Sequence, residues 1–212
     1  MFYDVTKKEL IYSDIFYKEV EFRDENDETH QGVDTYFLSN CDDEILRALK
    51  VARVVESDLI KSDDKYKEVI KNERYDEETN TYYIDYELRD VSLDVAKTIK
   101  LNELAELKSE KLASFEFKGK IYQIDDNSKI NINGKISAIL LSQNTERPIK
   151  NVAWIAKDNT ITEFSTAEFL AFSQAIASYI ETILFKNDQL RTAINKAKSL
   201  EALNKIVLSF GE

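Results

Sequence analysis

The chain has 212 residues, of which 43% are apolar and 11% aromatic, so it is long enough to fold as one large domain or two small ones. It contains no run of 18 apolar residues, which argues against a membrane-spanning helix, and its single cysteine, Cys41, excludes an intramolecular disulfide. A net charge of −11 argues against a nucleic-acid-binding protein, because such proteins neutralise phosphates with a basic surface. The first residues lack the basic and apolar segments of a signal peptide, so we expect the protein in the cytoplasm.

The acidic residues are concentrated in the first half of the chain. Residues 1–91 contain 25 acidic and 13 basic side chains, a net charge of −12, whereas residues 92–212 contain 15 acidic and 16 basic ones, a net charge of +1. This division predicts an acidic α+β module over 1–91, a connecting helix over 92–113 and a C-terminal domain over 114–212. The predicted fold class is therefore α+β, with short β-hairpins in a helix-rich C-terminal half.

The first forty residues are predicted to form short strands separated by polar turns. Aromatic and β-branched residues dominate four segments, Phe2–Val5, Leu10–Tyr12, Ile15–Phe22 and Val33–Leu38. The polar stretch Asp24–Gly32 is a predicted loop. Behind the potential cap residues Ser39 and Asn40, apolar residues recur at steps of three and four, which predicts an amphipathic helix over Asp42–Ile60.

A hairpin rich in tyrosine is predicted next, with arms at Lys65–Arg74 and Thr81–Leu88. In its second arm Tyr82 and Tyr86 alternate with Tyr83, the period of two that is typical of a strand with one buried face. Tyr83 is then expected to point outwards, and exposed tyrosine favours a protein-binding surface. Tyr82, Tyr83 and Tyr86 are therefore candidate protein-interaction residues.

The second half of the chain begins with the predicted connecting helix, for which Ser92 is the expected cap. A hairpin turning at Lys118-Gly119 follows, then a helix behind the polar cluster Asp125–Ser128, then a hairpin turning at Asp158-Asn159. Trp154 lies in the first strand of that second hairpin. It is expected in the core or at an interface, and it is the fourth candidate interaction residue.

The clearest local signal is the segment Ser165-Thr166-Ala167-Glu168, which has the spacing of a capping box. It predicts the start of a long amphipathic helix that extends towards Ala197. Ser199 is then expected to cap a short final helix.

No catalytic or metal-binding constellation stands out among the residues. The single histidine, His30, lies in an acidic loop, and one histidine with one cysteine cannot supply the three or four ligands that zinc needs. The acidic run from Asp24 resembles the first part of an EF-hand loop, but Thr29 replaces its glycine and Thr35 replaces its final acid. Nothing singles out a catalytic pair among the 40 carboxylates. We therefore expect no catalytic residues, no bound metal, no cofactor and no enzymatic activity.

Several motifs of the second half occur in a known order. A Leu/Lys/Glu-rich helix is followed by a hairpin, a strand that contains tryptophan, a D-N turn, a capped helix and a final S-L-E-A-L segment. The hairpin and the residue after it supply Phe117, Gly119, Tyr122 and Asp125. The later motifs supply Trp154, Asp158-Asn159, Ser165, Glu168 and Ser199–Leu203. Over residues 97–210 this succession resembles an uncharacterised C-terminal domain of tailed-phage and prophage tail-fibre and tail-fibre-assembly proteins. The motifs are structural and carry no catalytic residue.

The resemblance implies a non-enzymatic protein at the host-recognition end of a phage tail. The favoured function is a tail-fibre assembly chaperone that binds the fibre protein in the host cytoplasm, without contacts to nucleic acid or membrane. One alternative is a structural subunit of the tail fibre or baseplate, located in the virion tail. Another is an acidic inhibitor of a host nucleic-acid enzyme, suggested by the negative charge of residues 1–91. Formation of a homo-oligomer is left open.

Overall fold

The computed structural model describes residues 1–211 and divides the chain into two compact units between Val91 and Ser92. Both units combine helices and strands, which confirms the predicted α+β class. Each unit contains a cluster of buried apolar side chains of its own. Within residues 1–211, none of the helices combines the length and the apolar character that crossing a bilayer requires.

The N-terminal unit is built on a five-stranded sheet. Its elements are β1 (Phe2–Asp4), β2 (Glu9–Ile11), β3 (Ile15–Arg23), β4 (Thr29–Phe37), α1 (Asp43–Leu49), β5 (Val51–Glu56), β6 (Lys67–Asp76) and β7 (Thr81–Asp90). The strand order is β2-β1-β5-β7-β6, and all neighbours are antiparallel except β5 and β7. The remaining strands, β3 and β4, form a separate two-stranded hairpin.

The helix predicted over Asp42–Ile60 is wrong in its second half. After α1 ends at Leu49, Lys50 adopts a left-handed backbone conformation (φ 59°) and the chain continues as β5. This strand is rich in valine and pairs with β1 on one side and β7 on the other, so the burial of a central strand outweighs the helical spacing of its apolar residues. The N-cap of α1 is Asp42 instead of the predicted Ser39 or Asn40, because the Asp42 carboxylate accepts a hydrogen bond from the backbone N–H of Ile45.

The loop predicted over Asp24–Gly32 is shorter than expected. The antiparallel ladder continues to the pair Arg23 and Thr29, so β4 begins at Thr29 and the turn is confined to residues 24–28. The Asp24 carboxylate closes this turn by accepting hydrogen bonds from the backbone N–H groups of Asn26 and Glu28. Asp24 therefore acts locally as the residue that forms the turn.

The C-terminal unit contains the helices and hairpins that the sequence predicts. Its elements are α2 (Leu93–Lys111), β8 (Ser114–Phe117), β9 (Lys120–Gln123), α3 (Asp126–Ser142), β10 (Asn151–Ile155), β11 (Ile161–Ser165), α4 (Thr166–Lys196) and α5 (Leu200–Asn204). The predicted caps Ser92 and Ser199 both accept backbone hydrogen bonds. The predicted turn of the first hairpin is confirmed as well, because Lys118 and Gly119 both have positive φ, as a tight hairpin turn requires.

Aromatic rings form the centre of the C-terminal core. Phe172 of α4 lies 4.8 Å from Tyr122 and 5.3 Å from Phe164 between ring centroids, and both hairpins thereby pack against α4. Buried isoleucines of α3, among them Ile132 and Ile139, complete the cluster. The core therefore joins α3 and α4 to the two hairpins.

The predicted connecting helix, now α2, packs as part of the C-terminal unit. Lys97 Nζ donates to the backbone carbonyl of Asn195 at 2.9 Å, and the Tyr179 hydroxyl donates to the carbonyl of Lys111 at 2.9 Å. These bonds place the start of α2 beside the end of α4, so the two helices run antiparallel. The buried Lys100 side chain also reaches α5, where its Nζ donates to the carbonyl of Leu203 at 2.8 Å.

Candidate protein-interaction surface

An open groove of about 850 Å³ lies between helices α3 and α4, and it is called the α3–α4 groove. The C-terminal end of α3 and the N-terminal end of α4 both form hydrogen bonds with the backbone of Ile149. Ser142 Oγ accepts the N–H of Ile149 at 3.0 Å, and Thr166 Oγ1 donates to the carbonyl of Ile149 at 2.7 Å. The chain therefore runs along α3 towards Ile149 and along α4 away from it, and the groove extends along α4 from Leu170 to Phe185.

The lining of the α3–α4 groove is mainly apolar. Its apolar members are Ile132 and Ile136 of α3 and Leu170, Ile176, Ala177, Ile180, Leu184 and Phe185 of α4, and its uncharged polar members are Asn133, Ser173, Gln174 and Ser178. Leu184 is 48% exposed and Phe185 64% exposed, so this end of the groove presents unburied apolar surface. Lys129 and Glu181 are its charged members. An apolar groove with few charges is suited to binding the apolar face of another polypeptide.

A capping box fixes the start of α4, as the sequence predicts. The Ser165 hydroxyl accepts the backbone N–H of Glu168, and the Glu168 carboxylate accepts the backbone N–H of Ser165 at 3.0 Å. Lys118 Nζ, from the turn between β8 and β9, donates to the same carboxylate at 2.6 Å. The bond from Lys118, reinforced by those from Ser165, lowers the pKa of Glu168 to about 2.

Glu168→Gln should weaken the C-terminal unit at neutral pH and have little effect near pH 2. Because the folded pKa of Glu168 lies below the ordinary value of 4.5, its charge stabilises the fold above that value, and this stabilisation is lost as the pH falls towards about 2. Urea midpoints followed by Trp154 fluorescence over this pH range measure the effect. Glu163→Gln, which changes an exposed acid of β11, is the control, and the same pH dependence in both variants would contradict the assignment.

The three candidate tyrosines all lie on β7 of the N-terminal unit. Tyr82 is buried, and its ring stacks on Tyr3 with centroids 3.8 Å apart, so desolvation raises its pKa. The half-buried Tyr86 donates its hydroxyl to the Glu56 carboxylate at 2.6 Å. Tyr83 points to the other face, where the Arg74 guanidinium lies 4.1 Å from its ring centroid. Of the three, Tyr83 and Tyr86 offer partly exposed surface, whereas Tyr82 contributes to the sheet.

Trp154 lies far along the chain from the tyrosines, in β10 of the C-terminal unit. Its half-buried ring packs 5.3 Å from the Phe169 ring between centroids, next to the aromatic core. Trp154 therefore packs against the aromatic core and is partly exposed, and its role as an interaction residue stays a prediction.

Asp24, Glu28 and His30 approach one another at the tip of the β3–β4 hairpin. Each has a potential ligand atom within 4.8 Å of the others. His30 Nε2 lies 3.0 Å from the Asp24 carboxylate, and this contact is the main reason why the pKa of Asp24 is lowered. His30 therefore pairs with Asp24 instead of being fully solvated, and the turn hydrogen bonds of Asp24 account for its position.

Sequence reasoning did not identify the α3–α4 groove as a site. One signal was present, because Leu184 and Phe185 directly follow the buried Ile183, so α4 is apolar on more than one face at this point. The missing information was the position of α3, which depends on contacts between distant segments.

Comparison with known protein families places most of the C-terminal unit in one of them. Residues 95–207, more than half of the chain, match the domain of unknown function DUF4376. The match includes both helices of the α3–α4 groove. No curated protein and no solved structure matches the chain. The chain therefore belongs to the family of proteins that contain the DUF4376 domain.

Proposed function

We propose that this protein is a non-enzymatic phage or prophage tail protein that binds a tail-fibre protein, and that it acts as an assembly chaperone in the host cytoplasm. The observation that carries the proposal is the open apolar α3–α4 groove in the family domain. Fibre chains expose apolar surface and strand edges before they assemble, which makes them prone to aggregation. A partner that covers such surface until assembly is complete would prevent this.

The dimensions of the groove fit a helical segment of the fibre protein. The distance along α4 from Leu170 to Phe185 corresponds to about 22 Å of helix, or roughly four turns. Ser173 and Ala177 line the groove one turn apart and leave room for close approach of another backbone. An amphipathic helix could therefore place successive apolar side chains against Ile136, Ile180 and Leu184.

The low pKa of Glu168 has a structural cause. Glu168 owes its low pKa to Lys118 and to the capping box, which are structural interactions at the start of a helix. Its charge therefore has a local explanation that requires no substrate.

The acidic N-terminal sheet provides less support for an inhibitor that imitates nucleic acid. On β6 and β7 several carboxylates are paired with cations, as in the contacts Lys67–Asp90 at 2.6 Å and Arg89–Glu87 at 2.7 Å. These cations interrupt any regular row of negative charge. A mimic of the phosphate backbone would instead need an uninterrupted row of carboxylates.

Coexpression with the fibre protein of the same phage tests the proposal. The wild-type chain should raise the yield of soluble fibre, and Leu184→Glu should weaken binding by about tenfold or more, because it places a charge in the apolar groove. Val95→Glu changes an apolar residue of α2 that is also 48% exposed and lies outside the groove, and it is the matched control. Unchanged Trp154 unfolding would confirm that both variants fold.

The outcome separates the proposal from its alternatives. A chaperone raises soluble fibre yield and is absent from purified virions, whereas a structural subunit remains in them. If the wild-type chain leaves the yield of soluble fibre unchanged, the chaperone role is refuted, and if the chain also neither copurifies with the fibre nor remains in virions, binding of a fibre protein is refuted.

A further inference from the structure

The β3–β4 hairpin of the N-terminal unit has two long unpaired edges. Its strands pair only with each other over residues 15–37, and within residues 1–211 no strand is bonded to the outer edge of either. Phe16 and Tyr36 pack its base against the core, whereas residues nearer the tip are largely exposed. A two-stranded hairpin is marginally stable in water, and an unpaired edge is a template for another strand.

The hydrogen bonds at the two ends of the ladder show which residues face these edges. Leu38 N–H donates to the Asp14 carbonyl at 2.8 Å, and Asp24 N–H donates to the Glu28 carbonyl at 3.0 Å. Because bonded and non-bonded pairs alternate in an antiparallel ladder, the even-numbered residues of β4 bond to β3. The odd-numbered residues therefore point their N–H and C=O groups outwards; they are Thr29, Gln31, Val33, Thr35 and Phe37.

The two edges differ in charge. None of the five outward-bonding residues of β4 is charged, whereas the corresponding set on β3 includes Glu19, Glu21 and Arg23. Charged side chains are a common protection of edge strands, because they disfavour pairing with another chain. The β4 edge has less of this protection, because Asp34 and the titratable His30 are its only such side chains, whereas β3 carries Lys18, Glu19, Glu21 and Arg23.

We propose that β4 pairs antiparallel with β4 of a second copy of this chain, about a two-fold axis at Val33. In this register Val33 faces Val33 of the partner subunit, Gln31 faces Thr35 of the partner subunit, and Thr29 faces Phe37 of the partner subunit. Each of the five outward-bonding residues of β4 then faces a residue of the partner strand, and the Phe37 carbonyl, at the end of β4, also accepts a hydrogen bond from the Cys41 thiol at 3.4 Å. Moving the axis to Gln31 or Thr35 would leave part of each strand unpaired.

Side-chain chemistry favours self-pairing through β4 over β3. The even-numbered positions of β4 also pair without like charges, because Gly32 faces Asp34 of the partner subunit and His30 faces Tyr36 of the partner subunit. The equivalent pairing through β3 centres on Glu19 and brings two carboxylates directly opposite each other, which is destabilising.

The resulting four-stranded sheet also brings exposed apolar side chains of the two copies onto one face. Ile15, Tyr17, Val33 and Phe37 lie on the same face of the hairpin and are 39–66% exposed, although this face also carries Glu19, Glu21 and Arg23. Four strands meet the minimum number for a stable sheet, which a single hairpin does not. This inference concerns the N-terminal unit and is independent of the function proposed for the α3–α4 groove.

Two proline variants of the full chain test the proposal by sedimentation velocity. Val33→Pro removes the N–H at the axis, which takes no part in the β3–β4 ladder, and should raise the dimer dissociation constant by about tenfold or more. Glu19→Pro is the matched control, because Glu19 is the ladder partner of Val33 and its N–H points to the opposite edge. This variant should dimerise like the wild-type chain.

Val33→Lys provides a second test that keeps the backbone N–H. It places two ammonium groups at the axis and should also produce monomers, while the lysine can pair with Glu19 inside its own hairpin. A wild-type chain that remains monomeric at high micromolar concentration would overturn the proposal. Equal weakening by Glu19→Pro and Val33→Pro would overturn it as well, because it would show that the β4 edge is not specifically involved.

Discussion

Phe172→Ala should lower the free energy of unfolding of the C-terminal unit by about 3–5 kcal/mol. The Phe172 side chain is fully buried, and its ring contacts both hairpins, through Tyr122 of the first at 4.8 Å and Phe164 of the second at 5.3 Å between centroids. Truncation would leave a cavity among rigid aromatic rings that have little freedom to close it. The loss of stability should therefore lie in the upper part of the range that is typical of large-to-small substitutions in a protein core.

Urea denaturation followed by tryptophan fluorescence measures this loss. Trp154 is the only tryptophan of the chain and packs beside Phe169, so its signal reports the C-terminal unit. Phe185→Ala is the control, because it removes the same ring from a position on α4 that is 64% exposed, and it should cost about 1 kcal/mol or less. Similar losses in the two variants would show that the aromatic cluster is not the centre of this unit.

The second large effect is expected for Asn80→Asp in the N-terminal unit, with a loss of about 2–4 kcal/mol at neutral pH. Asn80 is 4% exposed and has a left-handed backbone conformation with φ of 51°. Its Nδ2 donates to the Val51 carbonyl at 2.9 Å, and its Oδ1 accepts from the Tyr75 hydroxyl at 2.8 Å. A carboxylate at this position would face the Val51 carbonyl without a proton to donate.

The pH dependence of this variant identifies the cause. Burial and the carbonyl of Val51 should raise the folded pKa of the new aspartic acid above its unfolded value of about 3.9. The variant should therefore approach wild-type stability below pH of about 4 and lose stability as the pH rises. Amide hydrogen exchange of β5 and β7 measures the effect, and the exposed substitution Asn40→Asp is the control. A loss that does not depend on pH would indicate a backbone effect instead.

Local signals in the sequence were sufficient where short-range interactions decide the structure. Ser92, Asp125 and Ser165 cap their helices as expected, because a cap depends on residues three positions apart. The boundary at Leu49 was not predicted, because Val51–Glu56 has helical spacing and becomes a strand only through pairing with β1 and β7. The choice between helix and strand at this segment thus depends on residues far away in sequence.

The candidate interaction residues also divide into features set by local sequence and features set by distant contacts. The alternation of Tyr82, Tyr83 and Tyr86 on β7 was predicted correctly, because it follows from the strand itself. The α3–α4 groove depends instead on Ile149, which hydrogen bonds to Ser142 of one helix and Thr166 of the other. No periodicity within either helix encodes that connection.

The folded C-terminal unit is longer than the DUF4376 match at both ends. The match begins at residue 95, after the cap Ser92, and it ends at residue 207, before the buried Phe210. A recombinant fragment trimmed to the match would start inside the first turn of α2 and lose an apolar side chain at its other terminus. Work on isolated DUF4376 domains should therefore use boundaries at or before Val91 and at or after Gly211.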